Sequence, residues 1–145
     1  MKNFYEVFDY DHLTDHDLRT ISPLKLAFLG DSIYDSYIRY YLINLHNVSV
    51  HMLHKKAIEY VKAASQAYIA RNILDILSEE EEGILKRGRN QKSGTVPKNA
   101  NVGDYKWATG LEALIGYLTL KGEKERVQEL IQKGIVMIES RDKVD

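Results

Sequence analysis

Apolar residues return along this chain at helical spacing, in stretches separated by polar turns. Ser22 followed by Pro23 reads as a helix start: the hydroxyl accepts from an orphan amide, and proline's missing N–H would be unpaired at that position anyway. From there Leu26, Leu29, Ile33, Tyr37 and Tyr40 recur with no further proline, predicting one long buried helix through Leu42, around which the rest of the chain is arranged. Asn44 to Ser49 reads as a turn. Ser49 or Val50 then opens a pattern in which Met52, Leu53, Ile58, Val61, Ala64, Tyr68, Ile69, Ile73, Leu74 and Leu77 keep helical spacing across a break near Lys62 to Ser65. Ser78 and Glu81 make a capping box, and the glutamate run from Glu79 suits the positive end of that helix's dipole, so no metal is needed to explain it. A second buried helix carries Ala108, Leu111, Ile115, Leu118 and Thr119 on one side. A last amphipathic helix turns Val127, Leu130, Ile131, Ile135 and Ile138 inward. Ahead of all these, Met1 to Ile21 is an acid-rich lead-in with one short helix at Asp15 to Thr20. The fold class predicted is all-α, a helical bundle.

Two acids interrupt these apolar faces. Asp31 has Ala27, Tyr34 and Ile38 at i−4, i+3 and i+7, with Asp35 one turn further on, and Glu112 stands among Ala108, Ile115 and Leu118. Burying a carboxylate costs several kcal/mol or more unless a cation, a metal or hydrogen-bond donors face it. Gly30, costly inside a helix, implies that another backbone or a ligand comes close there. The plain reading of Asp31 alone is a capping or salt-bridge residue. If the two strips pack together, however, the acids meet, and two carboxylates in one site call for a divalent cation. Oxygen ligands favour magnesium or manganese over zinc. Asp35 is a candidate outer ligand, with a salt bridge or dimer contact as its alternative. His12 with His16, and His51 with His54, have helical spacing but no third ligand nearby, and read as surface histidines.

Composition narrows the setting. At 145 residues the chain suits one domain, with a lead-in (1–21), a helical body (22–139) and a tail (140–145). Cysteine is absent, which excludes disulfides and thiolate zinc sites, and no apolar run reaches the roughly 20 residues a membrane helix needs. A cytoplasmic, soluble protein is expected. With a formal net charge of −1, nucleic-acid binding must come from a local patch. One such patch stands out, a basic loop over 86–103. It supplies Lys86, Arg87, Arg89, Lys92 and Lys98 with Asn90, Gln91, Ser93, Thr95 and Asn99, and no acid until Asp104. Cations spaced among amides and hydroxyls match what a phosphate backbone wants. Lys55, Lys56 and Lys62 lie on the polar side of their helix.

FLGDS at Phe28 to Ser32, paired with LEALIG at Leu111 to Gly116, resembles the signature of the ribonuclease III catalytic domain. LHKK at Leu53 to Lys56, KAASQA at Lys62 to Ala67 and the segment from Glu79 to Asn99 look more narrowly like its Mini-III branch, which lacks the double-stranded RNA-binding domain. The resemblance runs from Leu24 to about Leu130. It implies a homodimeric, magnesium-dependent endoribonuclease, manganese substituting, that cleaves double-stranded RNA and matures 23S ribosomal RNA ends, leaving 5′ phosphates and 3′ hydroxyls. A large-subunit ribosomal protein is a candidate further partner. By the same resemblance Asp31 and Glu112 hold the metal and do the catalysis. Lys55, Lys56, Lys86, Arg87, Arg89, Asn90, Lys92, Ser93, Lys98 and Asn99 grip RNA. The commoner pattern of the family has further acids where this chain has Leu24, Ala27 and Thr109, which bears on the number of metals per site. The alternatives are a non-catalytic RNA-binding or ribosome-assembly module on the same fold, and a helical phosphohydrolase acting on nucleotides.

Overall fold

Side-chain caps mark out most of the helices. In the computed structural model, which describes residues 13–92 and 96–142, Thr14 and Asp17 exchange hydrogen bonds at 3.0 and 3.1 Å to start α1 (Asp15–Thr20). The Ser22 hydroxyl accepts from Leu24 N–H at 3.3 Å at the head of α2 (Pro23–Leu45). Ser49 accepts from Met52 N–H at 3.2 Å to open α3 (Val50–Val61). Lys62 is extended and separates α3 from α4 (Ala63–Asn72), and a 3₁₀ turn, Leu74–Ile76, leads to α5 (Glu79–Arg89). Ser78 and Glu81 cap α5 reciprocally, as their spacing predicts. Asn101 caps α6 (Val102–Lys121), which ends at left-handed Gly122 (φ 86°), and α7 (Lys124–Asp142) completes the described chain. The described residues contain no strand, and none of their helices is long and apolar enough to cross a membrane.

The central helix is α6. Leu111, Ala113, Leu114, Ile115, Tyr117 and Leu118 are all buried, so it is apolar on nearly every side, with α2, α4 and α5 packed around it. Its contact with α2 is backbone to backbone. A Cβ on Gly30 would run into the Glu112 carbonyl, and one on Gly116 into the Leu26 carbonyl. On another side, a Cβ on Gly88 of α5 would stand 2.7 Å from the Ala113 Cβ, and one on Gly110 would stand 2.6 Å from the Leu85 carbonyl oxygen. Small residues therefore decide which helix faces meet.

Three expectations are corrected by this packing. The buried strip of α2 is Pro23, Leu26, Ala27, Gly30, Tyr34, Ile38 and Leu42, whereas Leu29, Ile33 and Tyr37 are only half-buried and Tyr40 is 73% exposed. Ala27 and Gly30 are the residues that let α6 approach, and the bulkier side chains are displaced to the flanks. On α3 and α4 the buried positions are Ala57, Ser65, Gln66, Ala67, Ile69 and Ala70, while Met52, Ile58 and Ala64 are exposed. The basic stretch is not all loop: Lys86, Arg87 and Arg89 form the last turn of α5, and 102–103 already belong to α6. The capping box and the acid-to-base order along α5 complement its dipole and carry the helix further than its two glycines suggest.

Gly116→Ala tests the close approach. Alanine is intrinsically better in a helix by about 1 kcal/mol, yet pushing α2 off α6 costs more, so the variant should lose about 2 kcal/mol or more in urea melts followed by circular dichroism. Unchanged or raised stability would show that the helices are not in backbone contact.

Candidate active site

The Gly30–Glu112 contact brings the two acids together. Asp31 follows Gly30 directly, so when the Glu112 carbonyl fills the space beside Gly30, the Asp31 side chain lies next to the Glu112 side chain. Burial, together with an Asp31 carboxyl close enough to share a hydrogen bond, pushes the Glu112 carboxyl up to about 9. Glu112 is half-buried, while Asp31 is exposed at the rim. The expectation of a buried Asp31 is thus corrected: Ala27, Tyr34 and Ile38 are indeed buried, but Asp31 occupies the edge of their strip, not its centre. Beneath the pair, the Tyr34 hydroxyl donates to the Tyr60 carbonyl at 2.6 Å, and its burial, Tyr60 and Glu112 all raise its pKa, so it stays protonated.

Among the described residues neither acid is paired with a lysine, arginine or histidine. No third acid or histidine joins them either, since no group of three potential metal ligands occurs there. Asp35 is engaged elsewhere: it accepts from Arg39 Nε at 2.9 Å. Ala27 is buried, Leu24 is partly exposed, and the Thr109 hydroxyl donates to the Tyr105 carbonyl at 2.9 Å, so none of these positions adds a charged ligand. The pair nevertheless suits a hard cation of the magnesium type, which commonly takes one or two carboxylates and completes its shell with water and substrate phosphate. A proton retained by Glu112 marks the charge deficit that such an ion would fill. His51 and His54 are exposed, and His12 lies outside the described residues.

The cations expected on RNA are variously engaged. Lys86 pairs with Glu82 at 3.0 Å, and Arg87 Nη1 reaches the Arg19 carbonyl at 3.5 Å. Arg89 lies over the Trp107 ring, with Nε donating to the Asn90 side-chain oxygen at 3.0 Å. Lys55, Lys92, Lys98 and Asn99 are exposed and Lys56 is half-buried, while Ser93 lies outside the described residues. Asn99 adopts a positive φ of 70°, which asparagine tolerates better than most residues. The sequence reading passed over Arg71 and Trp107. Arg71 is remote in the chain, and only tertiary packing sets it over the Trp107 ring, 5.6 Å from the centroid.

The likenesses to known proteins agree with this geometry. A family profile described as "Ribonuclease III domain" matches residues 24–123, the span from the start of α2 to just past α6. The chain is 47% identical over 127 residues to the Mini-ribonuclease 3 of Thermoanaerobacter sp. (strain X514), covering 88% of this chain and 89% of that protein. Against the Mini-ribonuclease 3 of Staphylococcus aureus (strain NCTC 8325 / PS 47) it is 36% identical, covering 90% of this chain and 99% of the other. A crystal structure of a protein from Fusobacterium nucleatum superimposes with a TM-score of 0.75 at 38% identity, over 82% of this chain and 95% of that one. With the two acids of the FLGDS and LEALIG segments meeting on this fold, the chain belongs to the Mini-ribonuclease 3 branch of the ribonuclease III family.

Proposed function

We propose that this chain cuts double-stranded RNA as a magnesium-dependent endoribonuclease acting on the ends of 23S ribosomal RNA precursors. The observation that carries the reading is the meeting of Asp31 and Glu112 without a basic partner among the described residues, in a chain of this family. Asp31 and Glu112 would hold the ion, with manganese able to substitute. Bound there, it would supply an activated water and a Lewis acid for in-line displacement at phosphorus. Glu112 is positioned by the α2–α6 backbone contact, and exposed Asp31 presents the open side of the site to a phosphodiester. The products would carry 5′ phosphates and 3′ hydroxyls. A silent RNA-binding module would gain nothing from two unpaired carboxylates facing a polyanion.

The RNA grip falls to Arg89 and the exposed cations after it, Lys92 and Lys98, with Lys55 and Lys56 on α3. Duplex RNA is read mainly through phosphates, shape and 2′ hydroxyls, which suits cations interspersed with amides. A homodimer is part of the same reading, its two sites leaving short 3′ overhangs. In its support, Phe28 is 84%, Ile43 65% and Val50 69% exposed, a concentration of large apolar side chains on α2 and at the start of α3 that a second copy would cover.

Asp31→Asn should abolish cutting of a long RNA duplex in magnesium while leaving the circular dichroism spectrum unchanged; a fully active variant would refute the assignment. The raised Glu112 group makes stability pH-dependent. Between the ordinary glutamate value of 4.5 and about 9, the folded chain keeps a proton that the unfolded chain has released, so stability falls as pH rises through that window. Glu112→Gln should therefore melt above the parent in metal-free buffer, by a margin that is small near pH 4.5 and widens toward pH 9. A margin independent of pH would contradict the shared proton. For the dimer, Ile43→Asp should give monomers of unchanged helicity in sedimentation velocity, and a parent chain that is itself monomeric would remove that part of the proposal.

A further inference from the structure

Trp107, the one tryptophan of the chain, has two guanidiniums over its ring: Arg89 from the end of α5, 4.8 Å from the centroid, and Arg71 from the last turn of α4, at 5.6 Å. Two like charges drawn to one indole repel each other, and they are unequally compensated. Arg71 Nη1 pairs with Asp104 at 3.0 Å, whereas Arg89 has the neutral Asn90 oxygen on Nε and no acceptor for its terminal nitrogens among the described residues. Two cations against one acid leave the cluster short of an anion. The ring itself, half-buried and already engaged by both arginines, is a poor stacking platform for a nucleic-acid base.

The cluster is also held in register with the candidate active site. Gly110, two residues before Glu112, packs so closely on α5 that a Cβ there would stand 3.3 Å from the Arg89 amide nitrogen. Trp107 lies five residues before Glu112 on the same helix, about 7.5 Å along its axis. The Arg89 backbone cannot move toward Gly110 without steric conflict, and Trp107 is carried by the same helix as Glu112.

We propose that Trp107 is a positioning residue of the RNA site: its ring holds Arg89 and Arg71 so that their guanidinium forks grip phosphates of the duplex at a fixed distance from the Asp31–Glu112 pair. This rests on the nuclease reading above. It adds Arg71 on α4 to the RNA surface and assigns the tryptophan to orienting cations, not to stacking on bases. A planar fork pre-set against a ring loses little freedom when it meets a phosphate, which is what an aromatic support adds to an arginine.

The test compares Trp107→Leu, which keeps apolar bulk without a ring, with Trp107→Phe, which keeps the ring. Both are made in the uncleaving Asp31→Asn chain, and folding is checked by circular dichroism. In metal-free buffer Trp107→Leu should weaken binding of a long RNA duplex roughly tenfold and lower the slope of log affinity against log salt by about one, while Trp107→Phe stays within about threefold of the parent. In the cutting-competent chain with magnesium, Trp107→Leu should raise KM and leave kcat within about threefold. Wild-type affinity and salt slope in Trp107→Leu would overturn the inference and leave the nuclease reading standing. Equal losses in the leucine and phenylalanine variants would overturn it too, since packing and not the ring would then be responsible. A parent chain that neither binds nor cuts duplex RNA would bring down both readings.

Discussion

The close approach of α2 and α6 at Gly30 and Gly116 is the constraint on which the remaining structure depends. Each glycine lies under a carbonyl of the opposite helix, where any side chain would collide with main-chain atoms. Helices packed through ordinary side chains lie about 8–10 Å apart, and a glycine on each side permits a shorter separation. That shortening brings the side chains flanking the contact into mutual reach, and two of them are carboxylates. The meeting of Asp31 and Glu112 is thus a direct result of backbone geometry, and burial first, with the neighbouring Asp31 carboxyl second, raises the Glu112 carboxyl so that it holds its proton.

The same device recurs on another side of α6. Gly88 and Gly110 bring α5 in closely too, though less tightly than α2, so the central helix is held on two sides by neighbours that a larger side chain would push away. Elsewhere the polar groups are tied off by ordinary means. Glu81 accepts twice from Arg126, whose Nη2 also reaches the Ile76 carbonyl at 2.7 Å, and Glu80 takes hydrogen bonds from Tyr117 and Lys121. Glu139 accepts from the hydroxyls of Tyr41 and Tyr60 at 2.6 and 2.8 Å. Glu80, Glu81 and Glu139 are therefore satisfied within the fold, and the contrast with Asp31 and Glu112, which share one site, is what gives the latter pair chemical meaning.

Among the described residues, Asp31 and Glu112 lack a basic partner where α2 meets α6, and an undercompensated pair of arginines from α4 and α5 is gathered on Trp107 of the same α6. On the reading proposed above, the acids would hold a hard cation and the arginines would grip phosphate, both referenced to α6. Catalysis of phosphoryl transfer consists largely of positioning and electrostatic stabilisation, so rigid helices are suitable carriers for both groups. Lys92 and Lys98 lie between α5 and α6, outside either helix.

Most of the fold was legible in the amino-acid sequence, because caps and helical periodicity are local. Ser22, Ser49 and Ser78 each mark a boundary through hydrogen bonds within a few residues, and α7 turns inward the residues its spacing predicts. The two site acids were legible too, as charges among apolar neighbours and as parts of two familiar segments. Tertiary structure alone decided which face of α2 is buried, since glycine and alanine look weak on any hydrophobic scale yet win the contact when a second helix can come close. It decided that Asp31 stands at the rim and Asp35 turns to Arg39. It decided that Arg71 and Arg89, 18 positions apart in the chain, share one tryptophan. Those outcomes depend on distances between residues remote in sequence, which no periodicity within one helix can encode.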